Sequence, residues 1–256
     1  MKKILHPLFL ICIAGAAHAQ FQSSFNYSMA VPFKEMGHNI NLTHSAVGDV
    51  RYQLKNNFEK FWVGMQLGLG VYAITNQEQT YQYSNGSTTQ AKVNFTSNIF
   101  NGHLIAGLDL LKDRSITPYV VAKGGMSNFY TRIYIPDPND DDGCKPLENK
   151  NVYKDATWSG GLGTGVKIAG NMLLKRKHSD NWCLDFSATY MVGGTVNYLN
   201  VSHLMDHNDN TTYDPKGYNI SFVNVTTNEI HQHEVAQLHT SRINQLDIKV
   251  GILFRL

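Results

Sequence analysis

The sequence predicts one all-β domain, an eight-stranded antiparallel up-and-down transmembrane β-barrel with short periplasmic turns and long extracellular loops. Three observations predict it. Apolar–polar alternation recurs along the chain, the polar face is rich in glycine and charge, and the connections alternate between short and long.

The first nineteen residues are set apart from the fold. Met1-Lys2-Lys3 is a basic head, 4–16 is mostly apolar, and Ala17-His18-Ala19 places small residues two apart. That is the layout of a secretory signal peptide over 1–19, with an apolar run too short to span a bilayer comfortably. The barrel domain is then expected over 20–256. Loss of Lys2 and Lys3 takes the formal charge from +2 to zero, which marks no nucleic-acid binder. Cys144 and Cys183 are too few for a disulfide framework.

Side chains of a strand alternate between faces, so each strand is read from its phase. Phe21, Ser23, Phe25, Tyr27 and Met29 share one face of the first. Val50, Tyr52 and Leu54 oppose Asp49, Arg51 and Gln53 in the second. In the third, Phe61, Val63, Met65, Leu67, Leu69 and Val71 oppose Trp62, Gly64, Gln66, Gly68 and Gly70. Phe100, Leu104, Ala106, Leu108 and Leu110 oppose Asn101, His103, Gly107 and Asp109 in the fourth. The fifth, Ile116 to Ile135, is less regular and is placed by its position in the series. Trp158, Leu162, Val166 and Ile168 oppose Ser159, Gly161, Gly163, Gly165 and Lys167 in the sixth. Trp182, Leu184, Phe186, Ala188 and Tyr190 oppose Cys183, Asp185 and Ser187 in the seventh. The last has Leu246, Ile248, Val250, Ile252, Phe254 and Leu256 against Asp247, Lys249, Gly251 and Arg255.

A soluble sheet also alternates, with its apolar face inward. The polar face separates the two cases. It repeats glycine and carries Arg51, Lys167, Asp185, Asp247, Lys249 and Arg255. Inside a narrow barrel glycine makes room for large neighbours, and opposite charges pair away from lipid. Long connections are expected over 31–44, 76–92, 136–154 and 200–242, alternating with short ones.

The chain resembles the small outer-membrane β-barrel proteins of Bacteroidota, similar in architecture to the OmpA-type barrel. The resemblance rests on the leader, on Ser24-Phe25-Asn26-Tyr27-Ser28-Met29-Ala30-Val31-Pro32, on Val50-Arg51-Tyr52 ahead of Lys55-Asn56-Asn57-Phe58, on the glycine-rich third strand, and on the terminal strand. It implies location in the outer membrane and insertion by the barrel-assembly machinery. That machinery usually reads a terminal aromatic, and here the aromatic is Phe254, two residues early. No catalytic set is implied, and no cofactor.

Two loops carry ligand-type residues. Counted from Asp137, oxygen side chains fall at places one, three, five and twelve as Asp137, Asn139, Asp141 and Glu148, the spacing of a calcium-binding EF-hand loop. Asp142 stands where the turn glycine belongs, so a solvated acidic loop, or loose cation binding beside lipopolysaccharide phosphates, is the alternative. In the last long loop His203 and His207, with His231 and His233, have types that ligate zinc or copper. A polar loop that contains histidine is the alternative there. His103 with nearby Ser97 has no motif joining it into a hydrolase.

The function expected is a non-enzymatic anchor, with recognition by the loops. Its expected partners are outer-membrane lipids, lipopolysaccharide and a further outer-membrane protein. An accessory subunit of a larger complex, a lipid-modifying enzyme and a soluble lipocalin-type barrel are the competing classes.

Overall fold

The computed structural model describes residues 21–82, 86–111, 115–136, 148–174, 181–203, 217–224 and 229–255. The chain forms β1 (Phe21–Pro32), α1 (Lys34–Asn39), β2 (Thr43–Gln53), β3 (Phe61–Gln82), β4 (Thr88–Asp109), β5 (Ile116–Ile135), β6 (Glu148–Ala169), α2 (Gly170–Leu174), β7 (Trp182–Leu199), β8 (Gly217–Asn224) and β9 (Glu229–Arg255). Each of β1 to β7 pairs antiparallel with the next, β7 pairs with β9, and β9 pairs with β1. Eight strands therefore close the wall, and β8 lies outside it as a hairpin partner of upper β9. Both chain ends of the wall, Phe21 and Arg255, lie at one end, called here the lower end.

The faces point as the alternation predicts. Leu162 is 72% exposed on the outer wall, with Phe25, Met65, Leu69, Leu104, Met126 and Trp158 also exposed. Asp49, Arg51, Lys167, Asp185 and Lys249 are buried in the lumen. A lipocalin-type barrel would have the opposite arrangement, so that class is excluded for this part of the wall. On β5 the outward apolar run extends from Ile116 to Met126, and on β3 from Phe61 to Val71. About ten steps of roughly 3.3 Å, tilted by about 40°, give a belt on the order of 25 Å high, the thickness of an outer-membrane barrel's apolar band. The wall is thus built to span a membrane.

Above the belt the polarity reverses. Inward positions become apolar: Val93, Phe95 and Ile99 on β4, Phe129, Ile133 and Ile135 on β5, Val196 and Tyr198 on β7. Outward positions become polar, as at Thr96, Asn98, Arg132 and Lys154. The upper barrel is packed like a soluble protein. Met36 of α1, Ile40 and Val201 close it from above, and Leu199 O accepts hydrogen bonds from Tyr72 (3.0 Å) and Ser97 (2.8 Å).

This reversal explains where the expected strand ends fall short. The segments expected as loops over 76–92 and 200–242 are largely strand, since β3 and β4 pair out to Gln82 and Thr88, and β9 begins at Glu229. Register shifts at Val71/Ala73, Thr131/Arg132 and Val192/Thr195 each change the phase of one strand. One inserted residue exchanges the two faces, so alternation read upward from the belt loses its meaning there. The expected leader, 1–19, lies outside the described residues.

Glycine makes room inside the lower barrel as expected. A Cβ on Gly107 would overlap the Trp62 indole, and one on Gly165 the Tyr119 ring. A Cβ on Gly124, on the outer wall, would meet nothing within 4 Å. Overpacking of this kind costs about 1–3 kcal/mol. Gly107→Ala should lower the temperature at which the barrel loses its compact gel mobility, whereas Gly124→Ala should leave it unchanged. Equal behaviour of the two would refute the packing account.

Candidate functional site

The chemistry of the described residues is concentrated in the lumen. Arg51 reaches from β2 between two carboxylates: its Nη2 lies 2.7 Å from Asp49 Oδ2 and 2.5 Å from Asp185 Oδ2. Lys249 Nζ joins from β9 at 2.8 Å from Asp49 and 3.7 Å from Asp185. Neutral donors fill the remaining lone pairs. Tyr119 donates its hydroxyl to Asp185 Oδ1 at 2.6 Å, Gln66 Nε2 donates to Asp49 Oδ1 at 2.7 Å, and Ser24 donates to Asp49 Oδ2 at 2.7 Å. The guanidinium carbon of Arg51 stands 4.7 Å from the Trp62 ring centroid, a cation–π contact in a desolvated place.

Two further pairs flank this quartet. Toward the lower end, Lys167 Nζ contacts Asp109 at 2.8 and 3.0 Å, and Trp62 Nε1 donates to the same carboxylate at 3.2 Å. Toward the upper end, Lys123 Nζ lies 2.9 Å from Asp247, which also accepts from Ser28. Among the described residues the lumen thus pairs Arg51, Lys249, Lys167 and Lys123 with Asp49, Asp185, Asp109 and Asp247. Strand alternation puts all of them inward, and no single strand carries a complete pair except β2 with Asp49 and Arg51.

Above Lys123 lies a hydroxyl chain. His103 Nε2 is 2.7 Å from Ser159 Oγ, Ser159 is 2.7 Å from Ser127, and Ser127 donates to Asn101 Oδ1 at 2.6 Å. His103 Nδ1 has no hydrogen-bond partner. Ser97, the serine near His103 in sequence, instead bonds Leu199 O and Thr131. The adjoining cavity has a volume of about 30 Å³.

The expected metal residues are not brought together by the described parts of the chain. Asp137, Asn139, Asp141 and His207 lie outside the described residues. Glu148 opens β6 opposite Ile135. His203 ends the turn that follows β7, and His231 and His233 lie on β9 opposite Phe222 and Ile220. Among the described residues no group of three or more metal-ligating side chains is placed to hold an ion. Of the interior charges expected, Arg255 differs: it is exposed at the lower rim and takes no part in the network. The network contains residues the sequence reading left without a role, namely Tyr119, Lys123, Gln66, Asp49 and Asp109. Tyr119 and Lys123 lie on the irregular fifth strand, where the phase was hardest to read.

Fold and lumen together define a class: a closed, membrane-spanning β-barrel filled by its own side chains. No family model matches the chain, and no curated protein matches it significantly. Among solved structures it is similar to Neisserial surface protein A, at 10% identity over 92% of this chain and 96% of that one, with a TM-score of 0.38. It is also similar to outer membrane protein W of Escherichia coli, at 12% identity over 94% and 100% with a TM-score of 0.36. A third is the outer membrane protease OmpT of Escherichia coli, at 7% identity over 93% and 97%, with a TM-score of 0.38. These likenesses assign no residue a role.

Removing one partner of a buried ion pair strands the other charge, at a cost of about 3–5 kcal/mol. Asp185→Asn should therefore lower the barrel's unfolding temperature more than Gly124→Ala. Arg51→Met combined with Asp185→Asn should cost less than the sum of the two single changes, because their effects are coupled. Strict additivity in thermal unfolding would contradict the network as drawn.

Proposed function

We propose that this chain is an integral protein of a bacterial outer membrane, a non-enzymatic, non-conducting anchor that presents its upper hairpins outside the cell. In this reading a signal peptide exports the chain, the barrel-assembly machinery inserts it, and both termini face the periplasm. The resemblance to the small barrels of Bacteroidota supports it.

The observation that carries the reading is a lumen occupied, among the described residues, by buried side chains at both levels behind an apolar outer belt. Ion pairs occupy the lower half and the Phe95–Phe129–Tyr198 core occupies the upper half, with Val201 and Met36 above. A cavity of about 30 Å³ accommodates a water and no substrate. The His103–Ser159 pair lacks the acid that orients a catalytic imidazole, since Nδ1 has no partner. A second reading, an accessory subunit of a larger outer-membrane complex, is favoured by β8. Among the described residues this strand is hydrogen-bonded only to β9, with β3 close by, and a partner strand would add to the edge away from β9.

Fractionation of the native host tests the location, and gel mobility with and without boiling tests the closed barrel. The protein is expected in the outer-membrane fraction with a boiling-dependent shift. In planar bilayers the purified chain should give no stable conductance steps. Recovery from the soluble periplasm, or steady porin-like channels, would overturn the reading.

A further inference from the structure

The outer wall of β3 to β6 carries a recess of about 500 Å³ at the upper edge of the apolar belt. Its floor is Leu69 and Phe100, both exposed, and its upper rim is Arg132, Lys150 and Lys154 beside Tyr130. Among the described residues no carboxylate lines it. Asp155, next in sequence to Lys154, is engaged elsewhere: its carboxylate accepts the Ala156 and Asn197 amides, each at 2.8 Å. Lys154 stands directly across from Tyr130 in the β5–β6 register, and Arg132 pairs with Asn151. Asn149 Oδ1 accepts from Arg132 Nε at 2.7 Å, which fixes the guanidinium at the rim.

The height of this cluster is what gives it meaning. On β6 Lys154 lies four residues above Trp158, and on β5 Arg132 lies six above Met126, the uppermost large hydrophobic residues exposed on those strands. At about 3.3 Å per residue and a tilt near 40°, the cations sit on the order of 10–15 Å above the belt. A headgroup layer is roughly 5–8 Å deep per leaflet, and a lysine stem such as that of Lys154 is long enough to reach down toward it, while Asn149 holds Arg132 at the rim. Cations over an apolar floor match a ligand with phosphate above and acyl chains below. The planar guanidinium takes phosphate oxygens two at a time, and lysine adds a point charge.

We propose that this recess binds a phosphorylated glycolipid of the lipid A type, its phosphate between Arg132 and Lys154 and its acyl chains against Leu69 and Phe100. The proposal deepens the membrane reading above and rests on it, because the recess faces the outer leaflet only if the termini are periplasmic. Lipopolysaccharide then becomes a site-bound partner as well as the surrounding solvent.

The test is native mass spectrometry of the full-length protein, purified in mild detergent and offered monophosphorylated lipid A, dephosphorylated lipid A or phosphatidylglycerol. Retention of the phosphorylated lipid A alone is expected. Arg132→Gln combined with Lys154→Gln should reduce it about tenfold or more, since charge-assisted contacts are lost, while Lys34→Gln on another part of the molecule leaves it unchanged. Equal retention of dephosphorylated lipid A or phosphatidylglycerol overturns the proposal, as does full retention by the double variant. So does capture of an acidic protein with no lipid. Gel mobility of the same preparations in vesicles separates the two levels. A chain that never inserts overturns the membrane reading, whereas an inserted chain indifferent to phosphate overturns this site alone.

Discussion

Arg51 is held between Asp49 and Asp185, buried in the lumen, and the lower barrel depends on that balance. An unpaired charge in a low-dielectric interior carries a desolvation penalty of several kcal/mol, and the lumen contains both signs in matched number among the described residues. Each carboxylate of the quartet is bonded by a cation and by at least one neutral donor, as with Tyr119 on Asp185 and Gln66 on Asp49. Satisfaction of this kind fixes which strands must be neighbours. Arg51 and Asp185 come from β2 and β7, on opposite sides of the closure between β1 and β9. The pair therefore clamps the circumference across the seam, where hydrogen bonds of the wall alone would leave register to be set strand by strand.

The same eight strands build a second kind of interior a few residues higher. There Phe95, Phe129 and Tyr198 meet around one centre, with Phe129 and Tyr198 ring centroids 5.7 Å apart. A wall bathed in lipid has to be apolar outside and can be polar within. A wall bathed in water gains by burying apolar surface, worth about 1.5–3 kcal/mol for each large side chain. The level at which the burial pattern reverses is thus set by the solvent around the wall. Bulges at Val71/Ala73 on β3, at Val152 on β6 opposite Thr131/Arg132, and at Val192/Thr195 on β7 lie close to that level and exchange the faces of those strands. On β4 the exchange needs no bulge, because inward Val93, Phe95 and Ile99 simply follow inward Asn101 and His103 in phase.

How much of this was legible in the sequence follows from the same physics. The belt was, because Phe61 to Val71 and Leu246 to Phe254 alternate without interruption. The inward charges Arg51, Lys167, Asp185, Asp247 and Lys249 were legible for the same reason. The upper barrel was not, since outward Thr96 and Asn98 with inward Phe95 and Ile99 give the pattern of an ordinary soluble strand beside a polar loop. Partners inside the lumen were also hidden. Nothing in sequence joins Tyr119 to Asp185 or His103 to Ser159, which closure brings to 2.6 and 2.7 Å. The basic recess was missed because Arg132 and Lys154 become neighbours only when β5 and β6 pair above the belt.

These two interiors leave the molecule few places at which to act. The lower lumen is a neutral salt-bridged core, and the upper lumen is an apolar core closed by Val201, Met36 and Ile40. Disturbing either costs stability, because it strands a buried charge or opens a packed core. Selectable variation is then confined to the outer surface above the belt. That surface includes β8, hydrogen-bonded among the described residues to β9 alone, and the cationic rim around Tyr130. The roles proposed for them are backbone pairing to a protein and charge for a lipid head group. The rim depends on strands that the lower network holds in register, so a site facing lipid inherits its geometry from ion pairs buried on the other side of the wall.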